Sequence, residues 1–274
     1  MPNAPDLLDQ KSHFAFGKNW SSYAKLVTDS QIAEAIAGLK KLAGDTLAGK
    51  RFLDIGCGSG LHSLAALRLG ASEVVALDID PDSVATTRSV LDTHASGQRW
   101  TVSEASVFNL DPKSFGTFDV VYSWGVLHHT GDMYRALRGA AAMVAPNGEF
   151  IFALYRHTYL CWFWKLEKRW YTRASAAAQA RVQAIYVSLM RLASRGTFDS
   201  YVSGYAKSRG MDFHHDVHDW LGGWPYESIS PAETDSLMQG LGMRQVRAFV
   251  RPGRHLGIFG SGCDEYVYGR PAAG

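Results

Sequence analysis

The sequence predicts an α/β protein, a doubly wound sheet of seven strands with a helical, aromatic-rich cap inserted after strand five. Three observations predict it. Between Lys50 and Tyr155, short apolar strands alternate with helical patterns, the rhythm of a parallel sheet covered on both faces. A glycine-rich turn joins the first of those strands to its helix. The rhythm breaks at Arg156 and resumes near 229 with one more helix and two more strands.

Taken in order, residues 1–49 read as an N-terminal arm and helix. The aromatic-polar stretch Phe14–Tyr23 comes first, and Ile32, Ile36, Leu39 and Leu42 then recur at helical spacing. Residues 50–155 form the core. Phe52–Ile55 is the first strand, and a helix from about Leu61 to Leu69 follows the glycine turn. Glu73–Leu77 is the second strand, and Pro81 opens the next helix at a position that favours proline. Trp100–Val102, Phe118–Tyr122 and Phe150–Leu154 supply three more strands, the last preceded by an Asn147-Gly148 turn. Residues 156–228 form the cap, helical to about Arg209. Its His-, Gly- and Trp-rich part, 214–227, reads as a loop. Residues 229–274 return to the sheet, with a helix over Pro231–Gly240 and strands over Met243–Val250 and Glu265–Tyr268. No internal repeat is visible.

The 274-residue chain carries a formal charge of +2, which gives no footprint for nucleic acid. Cys57, Cys161 and Cys263 are too scattered for a disulfide framework or a zinc-ligand spacing. No basic-then-apolar leader and no long apolar span is seen, so a cytoplasmic location is expected.

The segment Leu53–Gly60 carries the strongest chemical signal. Glycines permit a sharp turn and close backbone approach, and the loop opens a helix whose N-terminus offers free N–H groups. A dinucleotide fingerprint needs its third glycine one residue later, where Leu61 stands. Asp54 would repel a pyrophosphate and attract an ammonium group, directly or through water. Asp78 closes the second strand about twenty residues after the loop, well placed for both hydroxyls of a ribose. A ligand with an ammonium group and a ribose but no phosphate satisfies both carboxylates.

These residues, with Val75–Asp80 and Phe118–Ser123 in order, resemble the motif set of the class I S-adenosylmethionine-dependent methyltransferases. The resemblance implies a seven-stranded Rossmann-like sheet with its last strand antiparallel. It also implies S-adenosylmethionine as cofactor and S-adenosylhomocysteine as product. The cofactor contacts it implies are Asp54, Gly56, Cys57, Gly58, Gly60, Asp78, Ile79, Ser106, Val107, Ser123 and Trp124, with Trp20 or Tyr23 closing over the methionine tail. An Asp is commoner than Ser at the Ser106 position. The stretches Trp124–Met133 and Gly210–Gly223 further resemble a subgroup labelled ubiquinone-methylase-like. The activity implied is methyl transfer to an oxygen, nitrogen or carbon nucleophile of a small aromatic or partly apolar molecule. A nicotinamide-dependent oxidoreductase and a non-catalytic binding module are the rival readings.

Methyl transfer needs a nucleophile aligned with the sulfonium carbon and water excluded. A histidine base adds about 10²–10⁴-fold where the acceptor must lose a proton. His128 and His129 follow the fourth strand at its ligand-binding end. His215 with Asp216, within the His214–Asp219 cluster, is a second base-and-carboxylate candidate. A metal at that cluster would need a second group of ligands, which the sequence lacks, so none is expected. Gly222–Tyr226 reads as an aromatic turn, either a pocket wall or a packed corner. In the helix Tyr159–Arg173, Tyr159, Trp162, Phe163, Leu166 and Trp170 share one face, opposite Lys165, Lys168 and Arg169. That apolar face suits packing on the core, a substrate lid, a homodimer contact or a membrane surface.

Overall fold

The computed structural model describes residues 13–14, 28–209, 213–253 and 255–272, without the side chains of 206–209. Trp20 and Tyr23 lie outside the described residues.

Seven strands form one sheet: β1 (Arg51–Ile55), β2 (Glu73–Asp78), β3 (Trp100–Glu104), β4 (Phe118–Trp124), β5 (Val144–Tyr155), β6 (Arg244–Phe249) and β7 (Cys263–Gly269). Their order is β3-β2-β1-β4-β5-β7-β6. The first five pair in parallel, and β7 runs antiparallel to both β5 and β6. The order reverses between β1 and β4, so a crevice opens beyond their carboxyl ends, where open α/β sheets bind ligands.

Alternation along each strand builds two cores. Phe52, Val74, Ala76, Val120 and Tyr122 pack under α1 (Asp29–Ala43), α2 (Leu61–Arg68) and α3 (Pro81–His94). Leu53, Leu77, Val121, Phe150 and Phe152 face the other way, toward α5 (Met133–Ala142) and α10 (Pro231–Gly240); the short helix α4 is Pro112–Phe115. The α1 terminus is set by a capping box between Thr28 and Gln31, and Asp80 caps α3 ahead of Pro81. Asn147 lies inside the β5 span, in the left-handed region at φ 61°, where the β4–β5 register shifts.

After β5 the chain leaves the sheet. Helices α6 (Cys161–Tyr171), α7 (Ala176–Ala193), α8 (Phe198–Arg209) and α9 (Phe213–Gly222) follow before α10. They bury a third core of Trp164, Tyr171, Phe198, Phe213, Val217, Leu221 and Tyr226. One expectation fails here. The His-rich stretch expected to be a loop is helical through Gly222, because Phe213, Val217 and Leu221 recur every four residues and all are buried. On α6 the apolar face does not pack on the core, one of the uses open to it. Cys161, Trp164, Lys168 and Tyr171 point inward, while Trp162 and Leu166 are 64% and 61% exposed.

Candidate functional site

A cleft of about 1570 Å³ runs from the carboxyl ends of β1, β2 and β4 up to the inner face of the cap. Its floor is the glycine loop. Gly56, Gly58 and Gly60 all sit at positive φ, at 78°, 52° and 78°. A Cβ on Gly56 would lie 2.5 Å from the methyl carbons of Val126, so side-chain bulk as well as backbone angle excludes other residues there. Gly56 and Cys57 donate their N–H groups to the Leu77 carbonyl at 2.7 and 3.0 Å, which ties the loop to the end of β2.

Asp78 stands beside that tie. Its Oδ2 accepts the Gly58 N–H at 3.0 Å and its Oδ1 the Asp80 N–H at 3.0 Å. Each oxygen keeps a lone pair for a ligand. Burial raises its pKa, an effect the backbone N–H groups oppose. Asp54 does not line the cleft. It lies beneath the loop, where Oδ2 accepts the Ser63 hydroxyl at 2.6 Å, and burial lifts its pKa to about 7. The Cys57 Sγ takes the Thr87 hydroxyl at 3.3 Å, and burial pushes the thiol well up.

The remaining predicted cofactor residues divide in the same way. Ile79, Ser106, Val107 and Trp124 line the cleft with Gly56, Cys57 and Gly58. The Ser106 Oγ accepts the Phe108 N–H at 3.3 Å and so caps the short turn Val107–Asn109. Gly60 and Ser123 are not on the cleft wall. The Ser123 hydroxyl is buried and donates to the Ile55 carbonyl at 3.0 Å, bracing β4 against β1. Trp124 donates through Nε1 to Glu265 at 3.0 Å, and Lys41 pairs with the same carboxylate.

Of the four residues expected to face the acceptor, His128, His129 and Asp216 line the cleft and His215 does not. Asp216 accepts a hydrogen bond from the Tyr205 hydroxyl. His218, in the same helix, turns toward the cap interior, with Nδ1 at 2.9 Å from the Tyr171 hydroxyl and 2.8 Å from the Gln183 amide. Among the described residues, no group of His, Cys, Asp and Glu side chains has the geometry of a metal site.

His128 is fully buried, and its Nδ1 accepts the Tyr155 N–H at 3.3 Å. In the neutral ring this bond assigns the proton to Nε2, which has no partner. Burial, then the neighbouring His129 and Lys168, holds the His128 pKa well below 6.5. His129 is fixed by its Nδ1 contact with the Pro225 carbonyl at 2.8 Å, and burial lowers its pKa to about 3.

Sequence reasoning missed several residues at the cap end. The Tyr155 ring lies between His128, at 3.8 Å, and Trp220, at 5.1 Å. Behind Trp220, the Lys168 ammonium sits 3.6 Å from the indole centroid with no hydrogen-bond partner, and burial lowers its pKa to about 7. Arg156 borders the cleft, buried and paired with Asp264 of β7, its Nε donating at 2.8 Å. Tyr155 was within reach of sequence reasoning, because it ends a parallel strand at the ligand-binding edge. Lys168 carried no such signal.

The sheet order, the glycine loop and the tethered carboxylate after β2 define the class I methyltransferase architecture. Within it, residues 53–150 match the family described as methyltransferase domain. The ubiquinone biosynthesis O-methyltransferase of Xanthomonas euvesicatoria pv. vesicatoria (strain 85-10) is 36% identical over 112 residues, 41% of this chain and 46% of that protein. The protein of the same name from Xanthomonas oryzae pv. oryzae (strain PXO99A) is 33% identical over 151 residues, 55% of each chain. The matches thus span about half the length of these curated relatives. Among solved structures, magnesium protoporphyrin IX methyltransferase from Synechocystis PCC 6803 with bound SAH aligns over 87% of this chain and 81% of that one, at TM-score 0.52 and 16% identity. An S-adenosylmethionine dependent methyltransferase from Mesorhizobium loti aligns over 85% and 96%, at TM-score 0.53 and 18% identity. At such identities the likeness is one of fold.

Proposed function

We propose that this chain transfers a methyl group from S-adenosylmethionine to a nucleophilic atom, oxygen foremost, of a small and partly apolar acceptor. The observation that carries the reading is Asp78. Its two oxygens accept from Gly58 and Asp80 at the wall of a cleft lined by Gly56 and Gly58 of the glycine loop. The carboxylate matches a ribose diol, and Ile79 and Val107 offer an apolar slot for adenine. Asp54, beneath the loop, is the carboxylate we assign to the methionine ammonium, acting from under the backbone. The bound sulfonium supplies an activated methyl carbon; the chain supplies alignment and exclusion of water.

His128 then has a different part from that of a base. Its ring is neutral, with the proton on a buried Nε2, and the residue lines the cleft, so its part is to offer that N–H to the acceptor oxygen and hold it in place. Asp216 is the carboxylate of the cap that faces the same space. The curated relatives are named for ubiquinone biosynthesis. An aromatic oxygen acceptor agrees with the Tyr155, Trp220 and Phe259 lining of this cleft.

Isothermal titration of ligand-stripped protein with S-adenosylhomocysteine tests the reading, with NADH as rival ligand. One-site binding of the former at micromolar affinity or tighter, and none of the latter, is expected. The reverse pattern would establish the nicotinamide oxidoreductase. Binding without turnover against any acceptor would establish a non-catalytic module.

A further inference from the structure

The exposed face of α6 carries large apolar side chains. At 3.6 residues per turn, Trp162, Leu166 and Trp170 form a stripe one turn apart, with Phe163 beside it. All four are exposed, on the side opposite the buried Cys161, Trp164, Lys168 and Tyr171. The surface does not end with the helix. The segment 255–259 is bonded to it: the Tyr159 and Leu160 N–H groups donate to the carbonyls of His255 and Leu256, and the Trp164 Nε1 donates to Gly257 at 2.6 Å. That segment adds exposed Leu256, Ile258 and Phe259. The Tyr186 hydroxyl donates to the Phe259 carbonyl at 2.9 Å, which joins α7 to the same surface.

We infer that this surface docks the protein on an anionic lipid bilayer and delivers apolar acceptor molecules from it to the cleft. Composition is the first reason. Tryptophan and tyrosine beside leucine, with lysine and arginine along one flank, is the pattern of a helix that lies in the headgroup region. Charge is the second. From Tyr159 to Arg195 the chain holds seven lysines and arginines against one acidic residue, Glu167, although the whole chain carries only +2. Lys165 and Arg173 are exposed and Arg169 half-buried beside the stripe, and Arg181 and Arg195 are exposed on and beyond α7. A second copy seated on this face by a two-fold axis would bring those cations against their own images, which disfavours a dimer. Position is the third. Phe259 and the Tyr186 bonded to it line the cleft as well, so the patch borders the cleft mouth. Among the described residues, no helix is long and apolar enough to cross a membrane, and the contact proposed is a surface one.

The test is co-sedimentation of the full chain with vesicles of phosphatidylcholine alone and of phosphatidylcholine containing phosphatidylglycerol, at low and moderate salt. Binding to the anionic vesicles, weakened by salt, is expected. Trp162→Glu with Leu166→Glu should weaken it at least tenfold, and Lys165→Gln with Arg169→Gln about tenfold. Both variants should titrate with S-adenosylhomocysteine as the parent does, since none of the four residues touches the cleft. The methyltransferase reading therefore stands or falls on that titration, and the docking surface on the vesicles. A parent chain that stays in the supernatant, or binds equally with Glu at both positions, overturns the docking surface. So does a dimer in sedimentation velocity that the Glu pair dissociates while vesicles are ignored.

Discussion

The sheet half and the cap half of the cleft are built on opposite terms. In the sheet half the polar groups at the ligand end are already engaged by the chain: Asp78 by two backbone N–H groups, Asp54 by Ser63, Ser123 by Ile55 and Trp124 by Glu265. In the cap half Lys168, Glu167 and the Trp220 indole N–H are buried without hydrogen-bond partners among the described residues, while Trp162 and Leu166 are exposed. Buried polar groups ordinarily find partners and large apolar stripes ordinarily find cover. The sheet half holds these groups in place by bonds within the chain. Among the described residues, the cap half leaves buried polar groups without partners and an apolar stripe without cover.

The strongest challenge to this contrast is Asp264→Ala. It leaves Arg156 buried beside the cleft without its partner, so a loss of about 3–5 kcal/mol is expected in urea unfolding. A loss under about 1 kcal/mol would mean that sheet-side pairing is not needed, and the contrast would break. Next is Asp78→Ala, expected to weaken S-adenosylhomocysteine binding about 100-fold, near 2.7 kcal/mol, with the fold intact by circular dichroism. Undiminished affinity would remove the ribose assignment.

The cap should answer in the other direction. Lys168→Met replaces an unpaired buried cation by an apolar side chain of similar length, and a gain of about 1–2 kcal/mol is expected. Burial holds the Lys168 pKa near 7 in the folded chain against an ordinary 10.5. Between those values the unfolded chain binds more protons, so the native protein gains stability as pH rises. The advantage of the methionine variant should therefore be greatest below pH 7 and shrink toward pH 10. Constant advantage across that range would show that Lys168 stays charged in the folded chain with an ordinary pKa, solvated rather than desolvated.

The smallest effect concerns His128. Its folded pKa lies well below the ordinary 6.5, so its contribution is whole above about pH 6.5 and is lost as pH falls below that. His128→Asn should flatten that acid slope in denaturation curves. It should also keep more activity than His128→Ala, because asparagine retains an N–H donor. Equal loss in both variants, with a rate that falls at pH 6.5 in the parent, would restore His128 to the role of a base.

Most of the sheet was legible in the sequence because its signals are local. Apolar runs such as Phe52–Ile55 and Phe118–Tyr122, a glycine loop and Pro81 each fix their own backbone without help from distant residues. The carboxylate after β2 was legible for the same reason, since topology places it beside the loop. The cap was less so. Histidines and glycines between Phe213 and Gly222 made the segment look irregular, yet the period of its buried apolar residues decided the outcome. In α6 the amphipathic pattern was visible, but its orientation was not. Lysines and arginines mark a solvent face only when the other side has a core to meet. Here Cys161, Trp164 and Tyr171 took the inward positions and carried Lys168 with them. The tautomer of His128 depends on the backbone of Tyr155, which no sequence pattern reports.

The two ends of the cap meet at one point. The His157 N–H donates to the Ile229 carbonyl, and the Ile229 N–H to the Tyr155 carbonyl, both at 3.0 Å, closing the Arg156–Ile229 bridge. The backbone thus departs from the sheet and re-enters it within a single hydrogen-bond pair. A segment hemmed in this way is a cassette. Its length and composition can be exchanged without shifting the register of β5 against β7, so the sheet can keep its cofactor grip while the cassette is rebuilt for a new acceptor or a new surface.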